Sequence, residues 1–205
     1  MEIVVPEKRT ARRKLQRRAV LELARSCFFD EPHARHVAKL ALMLFDSLVA
    51  LHKFKRKDRF WLECAAVLHD IGWIGGGKGH HKKSLNIIRD SVSLPFSHRR
   101  RLMVGVIARY HRRALPMIKH YHYSALAPRD REMVLGLAAI LRVADGLDAV
   151  HRQAIINVSC KTTPDEIIIH YKTNRPVPVE LKAAAVKSDL MKRVFKRKIS
   201  FHHWI

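Results

Sequence analysis

The segment LECAAVLHDIG (Leu62 to Gly72) runs as an apolar helix and then sets His69 and Asp70 side by side where the pattern calls for another core residue. A charged group on a buried face is costly unless it is paired or holds a metal. Residues three or four apart share a helix face, and three further apolar stripes end in an ionisable side chain. His33 continues Val37, Leu40 and Leu44; His111 follows Met103 and Ile107; Asp145 follows Val134, Ala138 and Leu141. A single inward histidine is usually a hydrogen-bonded core residue. Repetition on separate helices, with two carboxylates among the imidazoles, points instead to the mixed N/O set by which helical bundles hold divalent metals.

The elements that must position these groups follow from periodicity and caps. Thr10–Ser26 reads as a basic helix with an apolar side of Leu15, Ala19 and Leu23. Asp30-Glu31-Pro32 supplies a cap and an early-turn proline for a second helix with the stripe Val37, Leu40, Ala41, Leu44, Leu48 and Leu51. A third spans about Lys57 to Asp70 and stops near Gly72. The Gly-rich loop at 75–79 leads to a fourth, His80 to Asp90; Ser97 caps a fifth running to His111; Asp130 to Ala149 makes a sixth. After Val150 the period changes. AIINVSC and EIIIHY alternate around the turn residues KTTPD, which predicts a hairpin over Ala154–Tyr171, followed by a helix over Val179–Lys196 and a last strand over Ile199–Trp204. The expected fold is mainly α: a helical body of about six helices over residues 1–150 and a small α+β element over 151–205.

Composition bounds the partners. Lys and Arg number 40 against 18 Asp and Glu, a net charge of +22 with histidines neutral, and the charge clusters in KRTARRKLQRR, HRRR, HRR and KRVFKRK. Such a surface attracts polyanions. The richest apolar run, Leu40–Leu51, is broken by Asp46 and too short to span a bilayer, and the first ten residues lack a secretory h-region, so the expectation is a cytoplasmic protein with no membrane partner. Cys27, Cys64 and Cys160 show no CxxC spacing and are expected as small hydrophobes rather than disulfides or zinc ligands.

The order His33, His69-Asp70, Asp145 resembles the metal motif of the HD-domain phosphohydrolase superfamily. More narrowly, HARHVAKLALMLFD, LECAAVLHDIG, GHHKKS, IARYHRR and LAAILRVADGLD resemble the C-terminal domain of the exopolyphosphatase / guanosine pentaphosphate phosphohydrolase family, from about Arg9 to the C-terminus. The resemblance implies an HD-type bundle standing alone, without that family's actin-like catalytic domain. It also implies that His33, His69, Asp70 and Asp145 hold a metal, with Asp70 bridging if two ions bind. His80 or His81, together with His111, match positions that take a second metal or touch phosphate. Departures from the pattern are Trp73 where relatives often carry a lysine, Lys83 inside the HHKHS-like run, and no Gly-Tyr-Pro motif.

A divalent ion among imidazoles and carboxylates lowers the pKa of water and polarises a phosphoryl oxygen, the chemistry of phosphoester and phosphoanhydride hydrolysis. Asp70, His80, His81 and His111 are the candidate catalytic residues. Lys78, Lys82, Arg109, Arg112, Arg113 and Arg142 are the candidate phosphate contacts. Mn, Mg, Fe, Ni, Co and Zn all suit such a ligand set. The expected substrate is a nucleotide, an alarmone-like compound or polyphosphate; the rival is a non-catalytic module gripping polyphosphate or RNA through its basic surface. A nucleic-acid partner and a homo-oligomer are left open by the residues.

Overall fold

A computed structural model describes residues 6–74 and 76–204. The helices are α1 (Pro6–Ser26), α2 (Glu31–Ser47), the short α3 (Val49–His52), α4 (Arg56–Leu68), α5 (His80–Asp90), α6 (His98–Arg109), the short α7 (Tyr121–Ser124) and α8 (Pro128–Gly146), with a 3-10 turn at Ile71–Trp73. The C-terminal part is β1 (Ile155–Thr162), β2 (Glu166–Thr173), α9 (Pro178–Lys187), α10 (Asp189–Phe195) and β3 (Lys198–His203). A mainly helical chain with a small α+β end is what the periodicity predicts.

The stripes converge as expected. Val37, Leu40, Ala41 and Leu44 of α2, with Leu48 just past its end, are fully buried in one core with Leu62, Ala65, Ala66 and Leu68 of α4 and Val134, Leu137, Ala138 and Leu141 of α8, and Met103 and Ile107 of α6 join it where α6 packs on α4 and α8. The Asp30 side chain caps α2 by accepting from the His33 backbone N–H at 3.1 Å. Gly72 lies against the first turn of α5: a Cβ there would fall 2.1 Å from the His80 carbonyl oxygen, and the Gly72 N–H donates to Ser84 Oγ at 2.9 Å. That close approach brings the end of α4 to the start of α5.

Two expectations change. The buried face of α1 is Gln16, Val20 and Ala24, with Ala19 and Leu23 only partly covered and Leu15 exposed. Gln16 tolerates burial because its amide donates to the Pro95 carbonyl. The helix expected over Val179–Lys196 breaks at Ser188, whose hydroxyl donates to the Ala185 carbonyl, while the Asp189 carboxylate accepts from the Leu190 N–H and starts α10. The hairpin β1–β2 is antiparallel, and β3 pairs parallel to β2 after the α9–α10 crossover. β1 packs on α2, and α9 and α10 pack on α8. No helix among the described residues is long and apolar enough to cross a membrane.

Candidate metal centre

Five helix ends meet at one side of the bundle. His33 lies in the first turn of α2, His69 and Asp70 just past α4, His80 at the first position of α5, His111 just past α6, and Asp145 in the last turn of α8. Helix ends leave backbone carbonyls without partners, and two of the histidines use them. The Nδ1–H of His69 donates to the Ala66 carbonyl at 2.7 Å and that of His111 to the Ala108 carbonyl at 2.6 Å. His80 Nδ1–H donates to the Gly77 carbonyl at 2.9 Å, and His33 Nδ1–H to Asp148 Oδ2 at 2.8 Å. All four acceptors are oxygens that cannot donate, so each ring carries a proton on Nδ1 and, as the neutral tautomer, turns the lone pair of Nε2 inward.

Those four lone pairs face one another and two carboxylates. His80 Nε2 stands 3.4 Å from His111 Nε2, and the two lie 3.2 and 3.3 Å from Asp70 Oδ1. Asp145 Oδ1 lies 3.7 Å from His33 Nε2 and 3.8 Å from His69 Nε2. Ligand atoms of His33, His69 and Asp70 fall within 4.8 Å of one another, and so do those of Asp70, His80 and His111, with Asp70 common to both groups. Lone pair against lone pair is repulsive, and His33 Nε2, His69 Nε2 and Asp70 Oδ1 are buried without a hydrogen-bond partner. Buried polar atoms left in this state are expensive. A cation among them is the group that fits this donor set.

The electrostatics agree. Burial pushes the His111 pKa down to about 3, more than Asp145 and Asp70 raise it, so the ring is neutral at pH 7. Burial works to raise Asp70, but His69, His80 and His111, once protonated, outweigh it and hold the carboxylate well below its usual range. Asp145 likewise resists burial, chiefly because Lys187 lies against it, and sits at about 2. Both carboxylates are ionised. Each is also gripped at Oδ2 by a donor outside the cluster: the Trp73 indole N–H reaches Asp70 Oδ2 at 3.3 Å, and Lys187 Nζ contacts Asp145 Oδ2. Oδ1 of each is thereby turned inward.

The sequence-based candidates separate here. Of the two adjacent histidines, His80 joins the cluster, stacked between Trp73 and His111. His81 is buried beside it with a pKa lowered to about 4, first by burial and then by His80, Arg112 and Arg109, and is in neither ligand group. Arg112 Nη1 lies 3.4 Å from His80 Nε2, at the margin of the cluster. Lys78, Lys82 and Arg113 are exposed, and Arg109 lies over the Tyr110 ring. Arg142 corrects the expectation. It is buried, forms a two-point ion pair with Asp189 and donates to the carbonyls of Tyr110 and Arg113, so four of its five N–H groups are engaged in bracing the segment around His111.

Asp148, Lys187 and His151 were not signalled by the stripes. Asp148 is buried, accepts from the Gln153 backbone N–H at 2.7 Å and orients His33. The His151 ring stacks on His33 at 3.6 Å and donates from Nδ1 to Asp30. Asp148 stands three residues after Asp145, on the same helical face, and that spacing is the signal that could have found it.

A model of the family described as Ppx/GppA phosphatase, domain III, matches residues 15–191. The chain belongs to this family. The matched segment includes all the candidate ligands as well as Asp148 and Lys187. A comparison with curated proteins finds no match.

Proposed function

We propose that this Ppx/GppA domain is a divalent-metal-dependent phosphohydrolase of the HD type, acting on a polyanionic phosphoester or phosphoanhydride such as a nucleotide, an alarmone-like compound or polyphosphate. The observation that carries the reading is the convergence of four inward-facing imidazole Nε2 atoms on two ionised carboxylates, with Nε2 of His33 and His69 and Oδ1 of Asp70 lacking any hydrogen-bond partner. His33, His69, Asp70 and Asp145 would hold one ion, and Asp70, His80 and His111 a second, with Asp70 shared. A bound divalent ion polarises a phosphoryl oxygen and lowers the pKa of water. The chain's own residues do the rest. Asp148, Ala66, Gly77 and Ala108 fix the imidazole tautomers; the Trp73 indole N–H aims Asp70, and Lys187 holds Asp145 while no ion is bound. Arg112, beside His80, supplies a fixed cation for a phosphate oxygen, and the exposed Lys78 and Lys82 draw the anion toward the loop before α5. Elemental analysis of wild type and Asp70→Ala, with phosphate release measured in Mn, Mg, Fe(II) and Ni separately, tests the reading. Full metal occupancy in Asp70→Ala, or no turnover by a folded, metal-loaded wild type across a broad panel, would sink it.

A second reading, a polyphosphate- or RNA-binding module, is favoured by a different observation. At the opposite end of the bundle, where α4, α6 and α8 begin, Lys53, Lys55, Lys57, Arg99, Arg100 and Arg129 line a cleft of about 350 Å³. Arg100 joins it to a neighbouring cleft of about 450 Å³ that includes Arg12. Asp58, Asp130 and Glu132 also line the first cleft and Arg99 is paired with Asp130, but the side-chain cations of Lys53, Lys55, Lys57 and Arg129 form no ion pair among the described residues, whereas Arg17 and Arg18 of α1 are paired with Glu63 and Glu22. The basic surface is therefore centred on the helix starts rather than on α1 alone. A variant with Lys55, Lys57 and Arg129 changed to Gln should lose salt-dependent binding of a polyphosphate probe that Asp70→Ala retains. Equal loss in both would refute a separate surface.

A further inference from the structure

Lys187 enters the metal centre from the C-terminal element, 42 residues beyond the carboxylate it meets. Its approach is built into the packing of two helices. Gly146, the neighbour of Asp145, ends α8 directly beneath α9, where a Cβ would fall 2.6 Å from the Ala184 Cα. Only a hydrogen permits that crossing, and Lys187 stands three residues beyond Ala184, about one turn along α9. The crossing therefore sets Lys187 over Asp145. Its ammonium contacts Oδ2, while Oδ1 faces His33 and His69. The Lys187 side chain keeps 23% of its surface exposed against 8% for that of Asp145, so the lysine has a path to water that the carboxylate lacks.

We propose that Lys187 is a built-in counter-ion of the centre, competing with the divalent cation for Asp145, so that filling the centre is linked to the seating of α9. The inference rests on the metal reading above. Without an ion, a buried Asp145 needs a positive partner, and Lys187 supplies it. With an ion among His33, His69 and Asp145 Oδ1, ammonium and ion share one carboxylate and repel each other across a few ångströms of low-dielectric interior. The long, partly exposed lysine is the group able to leave. Linkage then works both ways: whatever loosens α9 tightens metal binding, and the ion loosens the last turn of α9.

The test is calorimetric titration of the full chain with Mn²⁺ in wild type, Lys187→Met, Lys187→Gln, Lys187→Arg and Asp70→Ala, with hydrogen exchange followed over Pro178–Lys187. The two neutral variants should bind Mn²⁺ about tenfold or more tightly than wild type. Lys187→Arg, which keeps the charge, should stay near wild type. Mn²⁺ should speed exchange in the last turn of α9 in wild type and not in the Met variant. Equal or weaker binding by folded Met and Gln variants would overturn the competition and leave Lys187 a simple brace. If wild type binds Mn²⁺ and Asp70→Ala does not, that failure falls on the Lys187 inference alone. If wild type takes up no Mn²⁺ at all, the metal reading fails and this inference goes with it.

Discussion

Asp148 offers the sharpest test of how the centre is organised, because it touches no inward-facing atom of the cluster and acts through His33. Its Oδ2 accepts the His33 Nδ1–H at 2.8 Å, which keeps the proton off Nε2. Its Oδ1 accepts the Gln153 N–H at 2.7 Å. Replacing Asp148 by Ala would orphan both buried donors, a cost of about 1–3 kcal/mol each, and the resulting instability would confuse any measurement of binding. Asp148→Asn is the cleaner perturbation. The amide oxygen can serve only one of the two donors. If it stays with the Gln153 N–H, the amide NH₂ faces His33 Nδ1 and drives the ring to the tautomer with its proton on Nε2, pointing into the centre. Loss of a partner of this kind weakens metal affinity by about 10–100-fold, or roughly 1.4–2.8 kcal/mol. Mn²⁺ calorimetry reads the affinity, and urea unfolding of the metal-free protein reads stability. A folded Asp148→Asn protein that binds Mn²⁺ within twofold of wild type would refute the claim that tautomer locking prepares His33.

Three further outcomes follow from the geometry. Gly72→Ala places a Cβ 2.1 Å from the His80 carbonyl oxygen and 2.5 Å from the Ser84 backbone N, both backbone atoms, so η-turn and α5 must separate; thermal melts should show a loss of about 1–3 kcal/mol, with Mn²⁺ affinity falling in parallel, and a neutral result would mean that α5 is not held by this contact. Arg142→Lys should destabilise the protein by about 1–3 kcal/mol, because three N–H groups on one nitrogen cannot reproduce four bonds made by a planar fork, two of them to Asp189; a change in the salt dependence of substrate binding without loss of stability would restore Arg142 as a phosphate contact. His52 donates from Nε2 to the Phe45 carbonyl and accepts the Phe54 N–H at Nδ1, and burial lowers its pKa from the usual value of about 6.5. The native state thus resists a proton that the unfolded chain takes up, so the stability His52 contributes is intact above about pH 6.5 and falls as pH drops toward its lowered native value. Unfolding free energies of wild type and His52→Gln between pH 5 and pH 7.5 should converge as pH falls, and parallel curves would refute the assignment.

What could be read before folding was local, and what could not was long-range. His33, His69, His111 and Asp145 end apolar stripes on α2, α4, α6 and α8, and a 3.6-residue period alone aims them at the core. The stripe Val134, Ala138, Leu141 and Asp145 stops short of Asp148, beyond the last turn of α8, and so did not single it out although its spacing from Asp145 placed it on the same face. The α1 face was misplaced by one residue because Leu15, Ala19, Leu23 and Gln16, Val20, Ala24 are adjacent stripes of equal period. The choice turned on a hydrogen bond from Gln16 to Pro95, 79 residues away. The bracing role of Arg142 and the approach of Lys187 were invisible for the same reason. Their partners, Asp189 and Asp145, lie 47 and 42 residues distant and are joined by the packing of α8 against α9 and α10. A buried arginine beside a cluster of candidate ligands invites a substrate role, and only the geometry of its donors shows that four of the five are already taken. The small residues Gly146 and Ala184 were the visible trace of that packing, since two helices approach so closely only where neither presents bulk. The candidate centre thus leans on an element whose own sequence, three strands and two short helices, contains none of the candidate ligands, and what that element brings to it is the Lys187 ammonium against Asp145.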